Sequence, residues 1–302
     1  MCTAIRFNDR FVGRTLDFER GFDEQILALP RGSVELGESH NRYAMLGMGV
    51  VRGDKPLLFD GVNEWGLVAC GLNFSGYAVY RGAGEGVTVT PGGLISLVLG
   101  LCRSVAEARE MLSHIDLSNR EVDGMPPAPL HWMIADVREA MVVEPLTGGT
   151  VMLDNPTGVL TNAPDLPYHL TRLSDFSVLS PRNPSESLCG GVLYSRGLGA
   201  YGLPGDFSSS SRFIRAVFMK QNAAFSGGDN DIDLAFDVMG AMGVPRGCVI
   251  TEGGMPSYTR YTAVMDMRLP AYCLTTPTHR TINRIELNDS IAEGEIIKKF
   301  PV

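Results

Sequence analysis

The sequence predicts an α+β fold in which antiparallel sheets and helices occupy separate layers. Three observations carry that reading. Strand-like segments crowd residues 1–75, the longest helix-like segments come in two groups near 93–112 and 210–242, and strand-like segments return between and after them. These blocks do not follow the strict strand–helix alternation of a parallel sheet, which favours antiparallel layers.

The first block reads as CTAIRF, a turn at Asn8 and Asp9, RFVGRTLDF, QILALP, AMLGMGVV, PLLFD and LVACGLNF, punctuated by glycines. A helix follows at GLISLVLGLC. The next, SVAEAREML, opens with Ser104 and Glu107 at capping-box spacing and presents Val105, Ala108 and Leu112 on one face. LHWMIAD, EAMVVEP, TVMLD and GVLTN return to strand, and LPYHLTRLSDF is helix-like. The Gly/Ser/Pro-rich stretch 180–205 reads as a long loop with a role in assembly or site closure. SSRFIRAVFMKQNAAF then places Phe213, Ile214, Val217 and Phe218 on one helical face, and DIDLAFDVMGAM gives a further helix. CVITEG, RYTAVMDM, PAYCLTT and TINRIEL read as the closing strands. Each helix pair is expected to cover one outer sheet face. No linker, repeat or composition shift divides the chain, which predicts one domain over 1–302.

Composition narrows the function classes. Hydrophobic residues make up 44% of the 302, ample for a buried core. No run of about 18 uncharged apolar residues and no signal-peptide pattern occurs, so a cytoplasmic protein is expected. A net charge of −8 without a basic run argues against nucleic acid or an anionic membrane as partner. An anionic substrate would therefore depend on local arginines. Six cysteines, at 2, 70, 102, 189, 248 and 273, form no CxxC pair, and five scattered histidines give no ligand spacing. Free thiols are expected, with no metal and no cofactor.

Cys2 is the cysteine with a mechanistic context. Removal of Met1, which a small second residue permits, would leave a thiol and a free α-amine on one residue. An unperturbed α-amine titrates at about 7.7–8.0, so it can serve as the base for its own thiol. The competing reading is a small apolar residue at the start of a strand.

MCTAIRF, VGRTLDF, GLVACGLNFSGYA, PLHWMIAD, GVLTNAP, LPGDFSSSSRFIRAVF and VITEGGMPSYTRYTAVMD, in that order and spacing, resemble the choloylglycine hydrolase family over essentially the full length. That family holds the conjugated bile salt hydrolases and penicillin V acylases, which are N-terminal nucleophile hydrolases. The resemblance implies a four-layer αββα sandwich, a homo-oligomer such as the tetramers that relatives often form, and amide hydrolysis through a Cys2 thioester. It also implies a site built from Cys2, Arg14, Asp17, Asn73, Asn162 and Arg212.

Each of these positions has its own physical reading. Asp17 can accept a hydrogen bond from the α-amine, or it is a hairpin aspartate satisfied by local backbone. Arg14, three residues earlier in a strand, should face the opposite side unless a bulge intervenes; since the resemblance puts both in the site, irregular backbone is expected there, the alternative being that Arg14 is an ordinary surface residue. Asn73 and Asn162, each ending a strand, can aim amide donors at an oxyanion or can be ordinary turn formers. Arg212 opens a helix behind serines, where the dipole disfavours a cation, so a developing or bound anion in the site is expected to compensate it; the alternative is a solvated arginine, as Arg215 is expected to be. Asn73 resembles the bile salt hydrolases, whereas Phe18 stands where these often have tryptophan. Conjugated bile salts are the expected substrate. Penicillin V, or a catalytically silent binding protein on the same fold, are the alternatives.

Overall fold

Asn8, in the left-handed region at φ 50°, turns Cys2–Phe7 back onto Phe11–Phe18 in unbroken antiparallel register from Cys2↔Leu16 to Phe7↔Phe11. The computed structural model describes residues 1–53, 55–82, 87–121, 127–185, 195–228 and 231–302. This hairpin is the centre of a seven-stranded sheet ordered Val159–Leu160, Cys2–Phe7, Phe11–Phe18, Pro256–Asp266, Ala271–Thr275 and Asn283–Glu286, with Val249–Ile250 also pairing with Pro256–Asp266.

An eight-stranded antiparallel sheet runs Gly149–Asp154, Ala140–Leu146, Leu130–Ala135, Val68–Asn73, Lys55–Asn63, Met45–Arg52, Gln25–Leu29 and Lys298–Phe300. Its strands are apolar on both faces, and alternation sorts the residues between two cores. Ile26, Ala28, Val68, Cys70, Met133 and Ala135 pack into the core between the sheets. Their neighbours Leu27, Leu29, Ala69, Trp132 and Ile134 pack on the other side, under Leu94–Leu101 and Val105–Leu112. The Ser104 hydroxyl accepts from the Glu107 N–H, as the capping pattern predicts, while the Glu107 carboxylate bonds the Arg103 N–H.

Ser209–Asn222 and Asp231–Gly240 cover the outer face of the seven-stranded sheet. Phe213 and Met239 are wholly buried there, each such side chain contributing about 1.5–3 kcal/mol. Gly13 makes the close approach possible, since a Cβ at that position would lie 2.6 Å from Met239 Cγ. The four layers are therefore helix, sheet, sheet, helix. Among the described residues, no helix is long and apolar enough to cross a membrane.

Some elements escape the sequence reading. Lys298–Phe300 is a three-residue edge strand, and Val87–Val89 pairs in parallel with Ile115–Leu117 in a separate ribbon. Both are too short to show a period. The middle of the 180–205 stretch, including Cys189, lies outside the described residues; its described end contains the short helical turn Leu198–Ala200.

Candidate active site

Cys2 begins the strand that borders Phe11–Phe18, with its side chain only 3% exposed in the core between the sheets. Its N–H donates to Asn162 Oδ1 at 2.9 Å, and Arg14 Nη2 lies 3.8 Å from Sγ. Met1 extends the ladder by one residue: its carbonyl accepts from the Asp17 N–H at 2.8 Å, and its amine donates to the Asp17 carbonyl. With Met1 attached, the Cys2 nitrogen is an amide without basic character. Its removal would convert that nitrogen to an amine beside the same Asn162 acceptor.

Arg14 reaches into the inter-sheet core, where Nη2 donates to the Gly71 carbonyl at 3.1 Å and Nη1 meets Asp60 at 2.9 Å and the Tyr261 hydroxyl. Burial opposes its charge, but the acidic groups around it, Tyr261, Asp60 and Cys2, prevail and raise its pKa above the ordinary arginine value, with Asp60 the one that carries charge at neutral pH. Asp17 faces the other way. Its carboxylate accepts from Thr259 Oγ1 at 2.6 Å and Thr15 Oγ1 at 3.3 Å.

The expected irregularity in the Arg14–Asp17 strand is absent. The register shift falls instead in the neighbouring strand, between Thr259 and Tyr261. Arg14 and Asp17 take opposite faces as their three-residue spacing demands. Both approach the start of the sequence because Cys2 begins its strand, with its thiol on one face and its main-chain groups reachable from the other. The acceptor for the Cys2 nitrogen is Asn162 rather than the Asp17 carboxylate.

Arg212 approaches from the helix side. Nη1 donates to the Cys2 carbonyl and to Thr3 Oγ1 at 2.6 Å, Nη2 to Asn162 Oδ1 at 2.6 Å, and Nε to the Phe207 carbonyl at 3.0 Å. These protein oxygens satisfy the guanidinium, so the bound anion expected to compensate it is not required. Burial lowers its pKa, against opposing effects of Asp17 and Cys2. Arg215 also departs from expectation: it is 7% exposed and donates to the carbonyls of Ala241, Pro204 and Asp206, joining the helix to its preceding loop.

The asparagines differ from each other. Asn162 Nδ2 donates to the Asn73 carbonyl at 2.7 Å, so its amide ties three segments together instead of pointing a free donor at substrate. Asn73 Oδ1 accepts from the Ser75 N–H at 3.0 Å and the Ser75 hydroxyl at 2.8 Å, the turn-forming use.

Several neighbours were not legible as site residues. Ser209 Oγ bonds the Asn162 N–H at 2.9 Å and carbonyl at 2.7 Å, and His169 Nε2 is 3.0 Å from that carbonyl. His131 lies 3.3 Å from Glu144 Oε1 and 3.0 Å from the Thr161 carbonyl, while its ring stacks on Phe74 at 4.1 Å. This joins the strand ends that carry Asn73 and Asn162. The readable signal was an ionisable residue inside an apolar run, as in PLLFD and LHWMIAD, because buried charge requires partners. Among the described residues, no cluster of three or more histidine, cysteine or acidic side chains is arranged to hold a metal.

Residues 2–295 match the linear amide C–N hydrolases of the choloylglycine hydrolase family. The chain belongs to that family. It is 35% identical to a bile salt hydrolase/transferase of Lactiplantibacillus plantarum, over 100% of this chain and 97% of the relative. A bile salt hydrolase/transferase of Clostridium perfringens is 32% identical, over 99% and 96% of the two chains. The C2A variant of conjugated bile acid hydrolase from Clostridium perfringens superposes with a TM-score of 0.91 at 30% identity, covering 99% of this chain and 96% of that one. Penicillin V acylase from Agrobacterium tumefaciens shares the fold, with a TM-score of 0.78 at 21% identity over 100% and 91% of the chains. The protein is thus a linear amide hydrolase with two antiparallel sheets in the N-terminal nucleophile arrangement.

Two features of this family member lie near the sheet that carries Cys2. Phe18, Phe22 and Phe59 form an aromatic row, with ring centroids 4.9 and 5.5 Å apart, and Phe22 and Phe59 pack on the core cluster that contains Cys2. A cavity of about 750 Å³ lies beyond Thr259 and Tyr261. It sets Arg246, Arg260 and Arg280 against Asp23 and Glu24 and has no contact with Cys2.

Proposed function

We propose that this hydrolase cleaves the amide bond of glycine- or taurine-conjugated bile salts, with Cys2 as nucleophile. The observation that carries the reading is the pairing of Cys2 N–H with Asn162 Oδ1 while Arg14 stands beside Sγ. After Met1 is removed, the Cys2 amine takes the thiol proton and sulfur attacks the carbonyl carbon. Negative charge moves to oxygen, where Asn73 Nδ2 is assigned as a donor, its Oδ1 being held by Ser75. The C–N bond then breaks, the proton passes from the Cys2 ammonium to the departing nitrogen, and glycine or taurine leaves. Water attacks the thioester, gives its proton to the amine, and releases the bile acid as the thiol reforms. Arg14 places a fixed positive charge beside the reacting sulfur. Asn162 and Arg212 hold the main chain of Cys2, and Asp17 anchors the adjoining strand through Thr259.

The aromatic row of Phe18, Phe22 and Phe59 supplies apolar surface for a large acyl group. At about 25 cal/mol per Å² buried, a steroid nucleus gains more from such a surface than a phenoxy ring does. Specificity constants for glycocholate, taurocholate and penicillin V test the assignment. Both bile salts should exceed penicillin V. A higher value for penicillin V would reassign the substrate within the family, and no turnover of any amide would favour a silent binding protein.

A further inference from the structure

We propose that Asp60, held by the hydroxyls of Tyr261 and Tyr272, is the positioning residue that fixes Arg14 beside the Cys2 sulfur. Asp60 is fully buried in Lys55–Asn63, a strand of the eight-stranded sheet, paired with Cys70. Both tyrosines come from the opposing sheet. The Tyr261 hydroxyl donates to Asp60 Oδ2 at 2.5 Å, and the Tyr272 hydroxyl donates to Oδ1 at 2.5 Å. Burial, with Asp60 adjacent, pushes both phenols well above their ordinary range, which keeps them protonated and donating.

Arg14 closes the arrangement. Its Nη1 meets Asp60 Oδ2 at 2.9 Å and also donates to the Tyr261 hydroxyl. With that end fixed, the planar guanidinium leaves Nη2 directed at the Gly71 carbonyl, 3.1 Å away, and at Cys2 Sγ, 3.8 Å away. The Tyr261 ring supports the same group, 5.1 Å from the guanidinium carbon. A simple charge partner would need only one carboxylate oxygen toward Arg14. Here the second oxygen is taken by Tyr272, which fixes the carboxylate plane and, through it, the direction of Nη2.

The proposal rests on Cys2 as the nucleophile, and its test reads the thiol directly. In the processed full-length protein, Cys2 alkylation by iodoacetamide at pH 7 is followed by peptide mapping, with melting temperature recorded beside it. Asp60→Asn should slow Cys2 alkylation by about tenfold and reduce kcat by at least as much, with KM changing less than about threefold. Tyr272→Phe should slow both by about threefold, although Tyr272 is not hydrogen-bonded to Arg14 or Cys2. In an Arg14→Gln background neither substitution should have a further effect. Unchanged alkylation in folded Asp60→Asn, or the same loss in the Arg14→Gln background, overturns the proposal. If Asp60→Asn does not fold, Tyr272→Phe decides it, and an alkylation rate equal to wild type is the overturning result. Turnover that survives Cys2→Ala would remove the nucleophile reading, a result separable from the alkylation cycle.

Discussion

Asn162→Ala removes the side chain on which three segments converge. Its Oδ1 accepts from the Cys2 N–H and Arg212 Nη2, and its Nδ2 donates to the Asn73 carbonyl. Each group left unsatisfied costs about 1–3 kcal/mol when buried. Asn162 is itself half-buried, so water can replace part of the loss, and the lower end of the range applies. The expected destabilisation is about 3 kcal/mol, or roughly 5 °C in melting temperature for a chain of this length. Turnover should fall by about 100-fold or more, because the Cys2 nitrogen loses its acceptor and the Arg212 contact loosens. Asn162→Asp provides the contrast. It preserves acceptors for Cys2 and Arg212 but sets a carboxylate oxygen against the Asn73 carbonyl, so the loss centres on that tether. Thermal melts and steady-state kinetics on both variants are the assay. If Asn162→Ala melts within about 1 °C of wild type and loses less than about threefold in kcat, the tether reasoning is refuted.

Further outcomes follow from the same geometry. A protein with an uncleavable N-terminal extension should fold yet turn over no substrate, since its Cys2 nitrogen stays an amide; full activity with the extension confirmed by mass spectrometry would exclude the self-base mechanism. Peptide mapping after brief iodoacetamide treatment should find Cys2 labelled ahead of buried Cys70, Cys102 and Cys273, with exposed Cys248 also reacting. Cys70, pushed well above the ordinary thiol range by burial, should be the slowest; its labelling before Cys2 would contradict the site. Burial, reinforced by the charge of Arg6, lowers Lys220 to about 8 from 10.5. Between those values the unfolded chain holds a proton that the folded chain has released, so stability should rise with pH across about 8–10.5. Lys220→Met should flatten that rise in denaturant titrations, and an unchanged slope would show that Lys220 does not cause it.

The layered architecture was legible because both sheets are buried on two faces, which writes long apolar strands such as QILALP and LVACGLNF. Helix starts were legible where a local device marks them, as Ser104 does. Short elements were not, because three residues such as Lys298–Phe300 cannot display a period and depend on the neighbouring strand for their hydrogen bonds. At the site, Cys2 was legible on its own, Arg14, Asn162 and Arg212 through the family resemblance, and all three contact Cys2 in the structure. Their partners were not. The bulge expected near Arg14 belongs to the strand beside it, and the pairing that sets Tyr261 against Leu16 and Ala263 against Arg14 is a matter of tertiary register. Arg215 read as solvated because helix periodicity says nothing about a loop folding back to present carbonyls. Asp60, Tyr261 and Tyr272 are separated by as many as 212 positions, so only the packing of one sheet on the other brings them together.

The most direct test of the account is to quench the processed enzyme with acid during turnover of glycocholate and map the acyl group by peptide mass spectrometry. The account predicts a cholyl thioester on Cys2 in a peptide that begins at Cys2, lost on mild hydroxylamine treatment. Turnover that proceeds with Met1 retained, or a cholyl group found on another residue and never on Cys2, would contradict it.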